Sequence, residues 1–150
     1  MEIKLAVSKE RYEQIKSILL ECGIEVSDSA ELVLYEANRF ADHLIVKKQE
    51  DSCRYVVPVS EIILIESFGH TVEVRTKEEV YQATDRLYQL ANLLDPDRFL
   101  RISNSVIIAK DKVKQITPSL SMKFTLTMEN GKRVDVTRSY YYIFKEAFGI

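Results

Sequence analysis

From Leu44 onward the chain falls into short β-branched or aromatic runs: Leu44-Ile45-Val46, Tyr55-Val56-Val57, Ile62-Ile63-Leu64-Ile65-Glu66, Thr71-Val72-Glu73-Val74-Arg75 and Val80-Tyr81-Gln82, each bounded by polar residues. Runs this short are below helical length and fit strands of a β body. One interval departs from the rhythm. After Thr84, Leu87, Leu90, Ala91 and Leu94 recur at helical spacing, and Asp95-Pro96 ends the helix because the residue before proline avoids the helical region. Strands resume over 100–108 and 112–116, and 123–128 turns at Glu129-Asn130-Gly131-Lys132 into 133–136. Asn-Gly between alternating runs predicts a two-residue hairpin with positive φ at both central residues. A closing helix carries Tyr141, Ile143, Phe144, Ala147 and Phe148.

Residues 1–46 read differently, as a small β-α-β unit. Ile3, Leu5 and Val7 alternate with polar neighbours, Ser8 stands at a helix N-cap, and Tyr12, Ile15, Ile18 and Leu19 form an apolar stripe that Gly23 ends. Glu31-Leu32-Val33-Leu34-Tyr35-Glu36 supplies the second strand. This segment holds nine acidic and five basic side chains, net −4, whereas residues 47–150 hold sixteen basic and fourteen acidic, net +2. Period and charge both change there, so the expected division is 1–46, a dimerisation or regulatory unit, and 47–150. From Lys110 onward eight basic residues face four acidic ones, a bias that attracts phosphate.

Several classes of function are excluded. No apolar run approaches the roughly 18 residues of a membrane helix, and the first residues lack the layout of a secretion signal, so a cytoplasmic protein with no integral membrane segment is expected. Cys22 and Cys53 stand in no metal-type spacing and read as buried free thiols. The two histidines form no HExxH or HxH pattern, and Gly23, Gly69, Gly131 and Gly149 are too scattered for a phosphate or dinucleotide loop. No enzyme, cofactor or metal site is expected. Carboxylate pairs such as Glu78-Glu79 lie at element borders, where they serve the helix dipole.

The ordered set Ile62 to Glu66, Gly69-His70-Thr71, a helix, Phe99-Leu100-Arg101-Ile102-Ser103-Asn104-Ser105-Val106-Ile107-Ile108, then Asn130-Gly131 with Val136-Thr137-Arg138-Ser139-Tyr140, resembles the LytTR DNA-binding domain over roughly residues 47 to 148. The resemblance implies an α+β, mostly β fold: an elongated body of small sheets with a C-terminal helix. It lays loops along one face of duplex DNA, entering two successive major grooves and bridging the minor groove between. His70, Asn104 and Arg138 stand at the positions of the family's principal contacts. A guanidinium at 138 can donate two parallel hydrogen bonds to guanine O6 and N7; its alternative employment is a surface ion pair with a neighbour such as Asp135. His70 sits between two strands, where a tight loop would project its imidazole. Asn104, between Ser103 and Ser105, suits phosphate or minor-groove contact, or simply a turn. Auxiliary phosphate contacts are expected from Arg101, Ser105, Lys132, Arg133, Ser139 and Tyr140.

Two departures from the family pattern stand out. Ala109 occupies a place where asparagine is common, and residues 1–46 are too few for a phosphoacceptor receiver, so control by phosphorylation is not expected. The chain is similar to small stand-alone LytTR regulators. That implies a bacterial transcriptional regulator on paired promoter sites in double-stranded DNA, acting as a homodimer or as monomers side by side, with an inhibitory membrane protein as a further partner. The competing reading is a protein-interaction or ligand-sensing adaptor that binds no DNA.

Overall fold

A computed structural model describes residues 1–36 and 40–150 and divides the chain into two units, Met1–Arg39 and Phe40–Ile150. The expected boundary at 46/47 would cut through a strand of the larger unit, so the division lies earlier in the chain.

In the first unit, alternation puts Ile3 and Leu5 of strand β1 (Glu2–Ala6) inward. Helix α1 (Lys9–Glu21) follows, and Gly23, at φ 79°, closes it. Ser8 occupies the N-cap position without a side-chain cap; its N–H donates to Glu36 Oε1 at 2.8 Å, tying the helix start to the chain beyond β3 (Leu32–Tyr35). A two-residue strand β2 (Glu25–Val26), absent from the sequence reading, joins a parallel sheet of order β2-β1-β3. Of the expected apolar stripe, Ile18 is exposed, and so is every side chain of β3. The cysteine reading is corrected: Cys22 and Cys53 are both free and both exposed, because each follows the end of an element or sits in a polar turn.

The second unit is built on a seven-stranded antiparallel sheet of order β5-β4-β8-β7-β6-β10-β9. Its strands are β4 (His43–Lys47), β5 (Arg54–Pro58), β6 (Leu64–Phe68), β7 (Thr71–Arg75), β8 (Val80–Ala83), β9 (Phe99–Arg101) and β10 (Val106–Ala109). A second sheet pairs β11 (Val113–Ser119), β12 (Lys123–Met128) and β13 (Arg133–Val136) in that order. Helix α2 (Leu87–Leu93) and helix α3 (Tyr141–Phe148) complete it.

The unbroken apolar run of β10 has a physical reason, since all four residues are buried. Ile65 and Ile107 join Leu87, Leu90 and Leu94 in one core, while Leu64, Val106 and Ile108 join Phe124, Leu126, Val136 and Phe144 in another. Adjacent strands β6 and β10 thus feed opposite faces, with α2 on one side and the three-stranded sheet with α3 on the other. Phe144 is fully buried, 5.1 Å from the Phe124 ring and 4.6 Å from that of Phe148, and Tyr141 stacks on Phe124 at 5.0 Å. This aromatic cluster fixes α3, and with it the chain just before α3.

Two local expectations change. The run 100–108 is two strands separated by a loop rather than one. At the Asn-Gly turn only Gly131 takes positive φ, 83°, and Met128 pairs with Lys132 through a three-residue loop, the arrangement of a type I turn closed by a left-handed glycine. Asn130 instead accepts the Lys132 N–H on its side-chain oxygen, at 3.1 Å.

Candidate nucleic-acid interface

Three loops meet at one end of the large sheet. The first is the two-residue turn between β6 and β7: Phe68 pairs with Thr71, so Gly69 and His70 make the turn, with φ 60° at Gly69 and the His70 side chain exposed at the tip. The second joins β9 to β10 and consists of Ser103, Asn104 and Ser105, closed by the Ile102 N–H donating to Val106 O at 3.0 Å. Ser103 is buried, and its hydroxyl accepts the Ser105 N–H at 3.2 Å and lies 3.3 Å from Ser105 Oγ. These bonds shape the loop, and Asn104 at its centre is exposed. The third is the junction of β13 with a 3₁₀ turn, Arg138–Tyr140.

Cross-links hold the three together. The Ser67 N–H donates to Ser105 O at 2.8 Å, joining the first loop's strand to the second loop, and the Thr137 N–H donates to Ile102 O at 3.0 Å, joining the second to the third. The Tyr140 hydroxyl donates to Asn104 Oδ1 at 3.3 Å. That bond occupies the acceptor end of the carboxamide and leaves its N–H₂ donors facing out. Asn104 and Arg138 line one open recess of about 620 Å³ with Glu66, Ser105, Lys123, Arg133 and Ser139.

The expected contacts fall into two groups by what their side chains already touch. Among the described residues, Arg138, Arg133 and Lys123 have no carboxylate within 4.0 Å; Asp135, the foreseen partner of Arg138, accepts from Thr125 Oγ1 at 2.9 Å instead. Arg138, Arg133 and Ser139 are exposed and Ser105 half-buried. Arg101, by contrast, donates from Nε to Ser103 O at 3.1 Å and from Nη2 to Asn104 O at 2.7 Å, so its guanidinium braces the loop from beneath. Tyr140 steadies the same loop from the side. The Lys132 ammonium lies 3.0 Å from Glu66 Oε1 and 5.7 Å from the centre of the Phe68 ring. That contact pairs a largely buried carboxylate with its counter-charge and pins the β12–β13 hairpin to β6. Sequence reading gave Glu66 no role at the site and counted Lys123 only among the eight basic residues that attract phosphate. The register did carry a signal for Lys123, which stands one residue before Phe124 and so beside the Val136 end of β13.

Residues 52–149 match the LytTr DNA-binding domain family. The chain belongs to the LytTR family. A solved LytTr DNA-binding domain from Bacillus cereus superposes with a TM-score of 0.69 at 27% identity, covering 73% of this chain and 99% of that one. The sensory transduction protein LytT of Enterococcus faecalis is 27% identical over 96 residues, which is 64% of this chain and 40% of that protein. The transcriptional regulatory protein LytR of Staphylococcus aureus is 22% identical over 142 residues, 95% of this chain and 57% of that protein. The chain therefore spans about half the length of these relatives. Its LytTR domain is a DNA-binding domain of the kind found in transcriptional regulators. The mostly β architecture and the C-terminal helix expected from the resemblance are those of the LytTR fold. Among the described residues, no helix is long and apolar enough to cross a membrane, and no three His, Cys, Asp or Glu side chains are grouped to hold a metal ion.

Proposed function

We propose that this chain is a sequence-specific regulator of transcription that reads major-groove bases of double-stranded DNA through His70 and Arg138, with Asn104 at the minor groove or a phosphate between them. The observation that carries the reading is the cross-linking of three loops at one sheet end, with an exposed guanidinium that no carboxylate claims. Arg138 recognises guanine by two parallel hydrogen bonds. Ser105, Arg133 and Ser139 contact phosphates, fixing register without reading sequence. Arg101 and Tyr140 hold Asn104 in place, and Lys132 cancels the Glu66 charge next to the recess.

The protein works in the cytoplasm on paired sites, as a homodimer or as two monomers side by side, since pairing multiplies affinity through effective concentration. Residues 1–39 mediate self-association or restraint by a membrane-protein partner. The apolar, exposed strand Leu32–Tyr35 supports a partner for this unit. Selection of duplexes from a randomised pool tests the central statement. A defined, twice-repeated motif is expected; recovery of unrelated sequences with uniform affinity would overturn it.

A further inference from the structure

The hairpin formed by β11 and β12 has a feature that the reading above does not use. Ser119 pairs with Lys123, so Leu120, Ser121 and Met122 make the turn. Leu120 is 90% exposed, the highest value among the large apolar side chains. The turn contains no glycine, asparagine or proline, yet Ser121 and Met122 both hold positive φ, 67° and 59°. Consecutive left-handed residues with side chains are an uncommon arrangement, of the sort found where a loop has to present something. What it presents is an apolar side chain on a polar rim, with Ser119, Ser121 and Lys123 around it.

Two observations identify the occupant. First, residues 113–128 contain Lys114 and Lys123 and no Asp or Glu, so the hairpin itself carries positive charge only and favours a polyanion over a protein surface of mixed charge. Second, the turn adjoins the recess through Lys123, the strand residue that closes the turn. Lys123 lines the recess together with Arg138, and the Phe124–Val136 pair puts the Leu120 turn and the Arg138 junction at the same end of the small sheet. A leucine at the same sheet end as a guanine-reading arginine is placed to reach the same major groove. The one apolar group that base edges offer there is the C5-methyl of thymine.

We infer that Leu120 is a specificity-determining residue that contacts a thymine methyl next to the base read by Arg138. The inference rests on the DNA-reading function proposed above and adds a base to it. Burial of one methyl-sized group against a leucine corresponds to a preference of about fourfold for thymine over deoxyuridine.

The test uses the full chain and the duplex selected from a randomised pool. Each thymine is replaced singly by deoxyuridine, which removes the methyl and nothing else, and binding is measured with the wild type and with Leu120→Ala. One position, neighbouring the guanine whose contribution disappears in Arg138→Ala, should lose about fourfold with the wild type and nothing with the variant. Equal deoxyuridine penalties for both proteins at every position would overturn the inference, as would Leu120→Ala binding unchanged. So would a Leu120→Ala effect confined to solution mass, which would make the turn a contact between copies. Failure to select any duplex is a different result, one that removes the function itself. Because Leu120 is so exposed, an unchanged melting curve of the variant will confirm that its fold is intact.

Discussion

Replacing Lys132 by methionine keeps an apolar stem near Phe68 while leaving Glu66 without its counter-charge. The Lys132 and Glu66 side chains are 27% and 17% exposed. They therefore stand between surface pairs, worth about 0.2–1 kcal/mol, and buried pairs, whose breakage costs about 3–5 kcal/mol, so a loss of about 2 kcal/mol is expected. In a chain of this size that lowers Tm by about 4–8 °C. Adding Glu66→Gln removes the orphaned charge and should restore most of the loss. The same variants separate two roles for Lys132 in binding. Each phosphate neutralised by a side chain steepens the dependence of log K on log salt by about 0.9. A lysine already neutralised by Glu66 releases no counterion, so the double variant should keep the wild-type slope, whereas Lys132→Met alone should bind every duplex more weakly because a carboxylate lies unpaired next to the recess. Melting curves and salt titrations on one duplex suffice. A double variant whose slope falls by about 0.9 would refute the reasoning, because Lys132 would then be reaching a phosphate.

Arg138→Ala should weaken specific binding by about 1–3 kcal/mol and relax preference at one base; since no carboxylate pairs with it, Tm should stay put, and an unchanged specific-to-random ratio would end its role as a reader. Tyr140→Phe removes one neutral hydrogen bond to Asn104, so a loss of about 0.5–1.5 kcal/mol in DNA affinity is expected. Wild-type affinity would mean that the carboxamide needs no support. Phe144→Ala should cost about 3–5 kcal/mol of stability in denaturant titration, because the ring is fully buried among Phe124 and Phe148; a change below 1 kcal/mol would contradict the packing. Far from the interface, the Tyr55 hydroxyl donates to Asp51 Oδ2 at 2.5 Å. That bond, with the Cys53 N–H, holds the Asp51 carboxyl below its ordinary range, and the same bond pushes the Tyr55 hydroxyl from 10.0 to about 12. The Asp51 contribution is present above the ordinary carboxylate pKa and is lost as pH falls through the lowered value. The Tyr55 contribution is present below 10 and is lost as pH rises through about 12. An NMR titration of Tyr55→Phe should return Asp51 toward ordinary values; an unmoved midpoint would dismiss the bond.

Much of this was legible in the residues, and the parts that were not share a cause. Period and turn chemistry gave α1, α2, α3 and most strands, because amphipathic spacing and Asp-Pro or Asn-Gly punctuation act within a few residues. The Ser103-Asn104-Ser105 cluster suggested a polar turn, but its position inside a strand reaching from Leu100 to Ile108 was not set by spacing; what fixes it is the Arg101 guanidinium and the Ser103 hydroxyl bonding to backbone groups two or three residues along. The turn at Leu120 has serines but no glycine or asparagine where the backbone takes positive φ, at Ser121 and Met122. Lys132 looked like a free cation because its partner, Glu66, is far away in sequence, and Cys22 and Cys53 looked buried because free thiols usually are. His70, Asn104 and Arg138 were named from the family resemblance alone; local sequence could not say that backbone bonds at Ser67, Ile102 and Thr137 tie their loops together.

Each of the three loops hangs from a different connection in the chain; the bonds at Ser67 and Thr137 run through main-chain atoms that are indifferent to the residue at the tip, and only the bond from Tyr140 to Asn104 depends on one. An inherited change at 70 or 138 therefore alters one loop tip and leaves the other two seated. On the proposed function, such a change would move the preferred sequence in a single step while the main-chain frame of the site stays as it is.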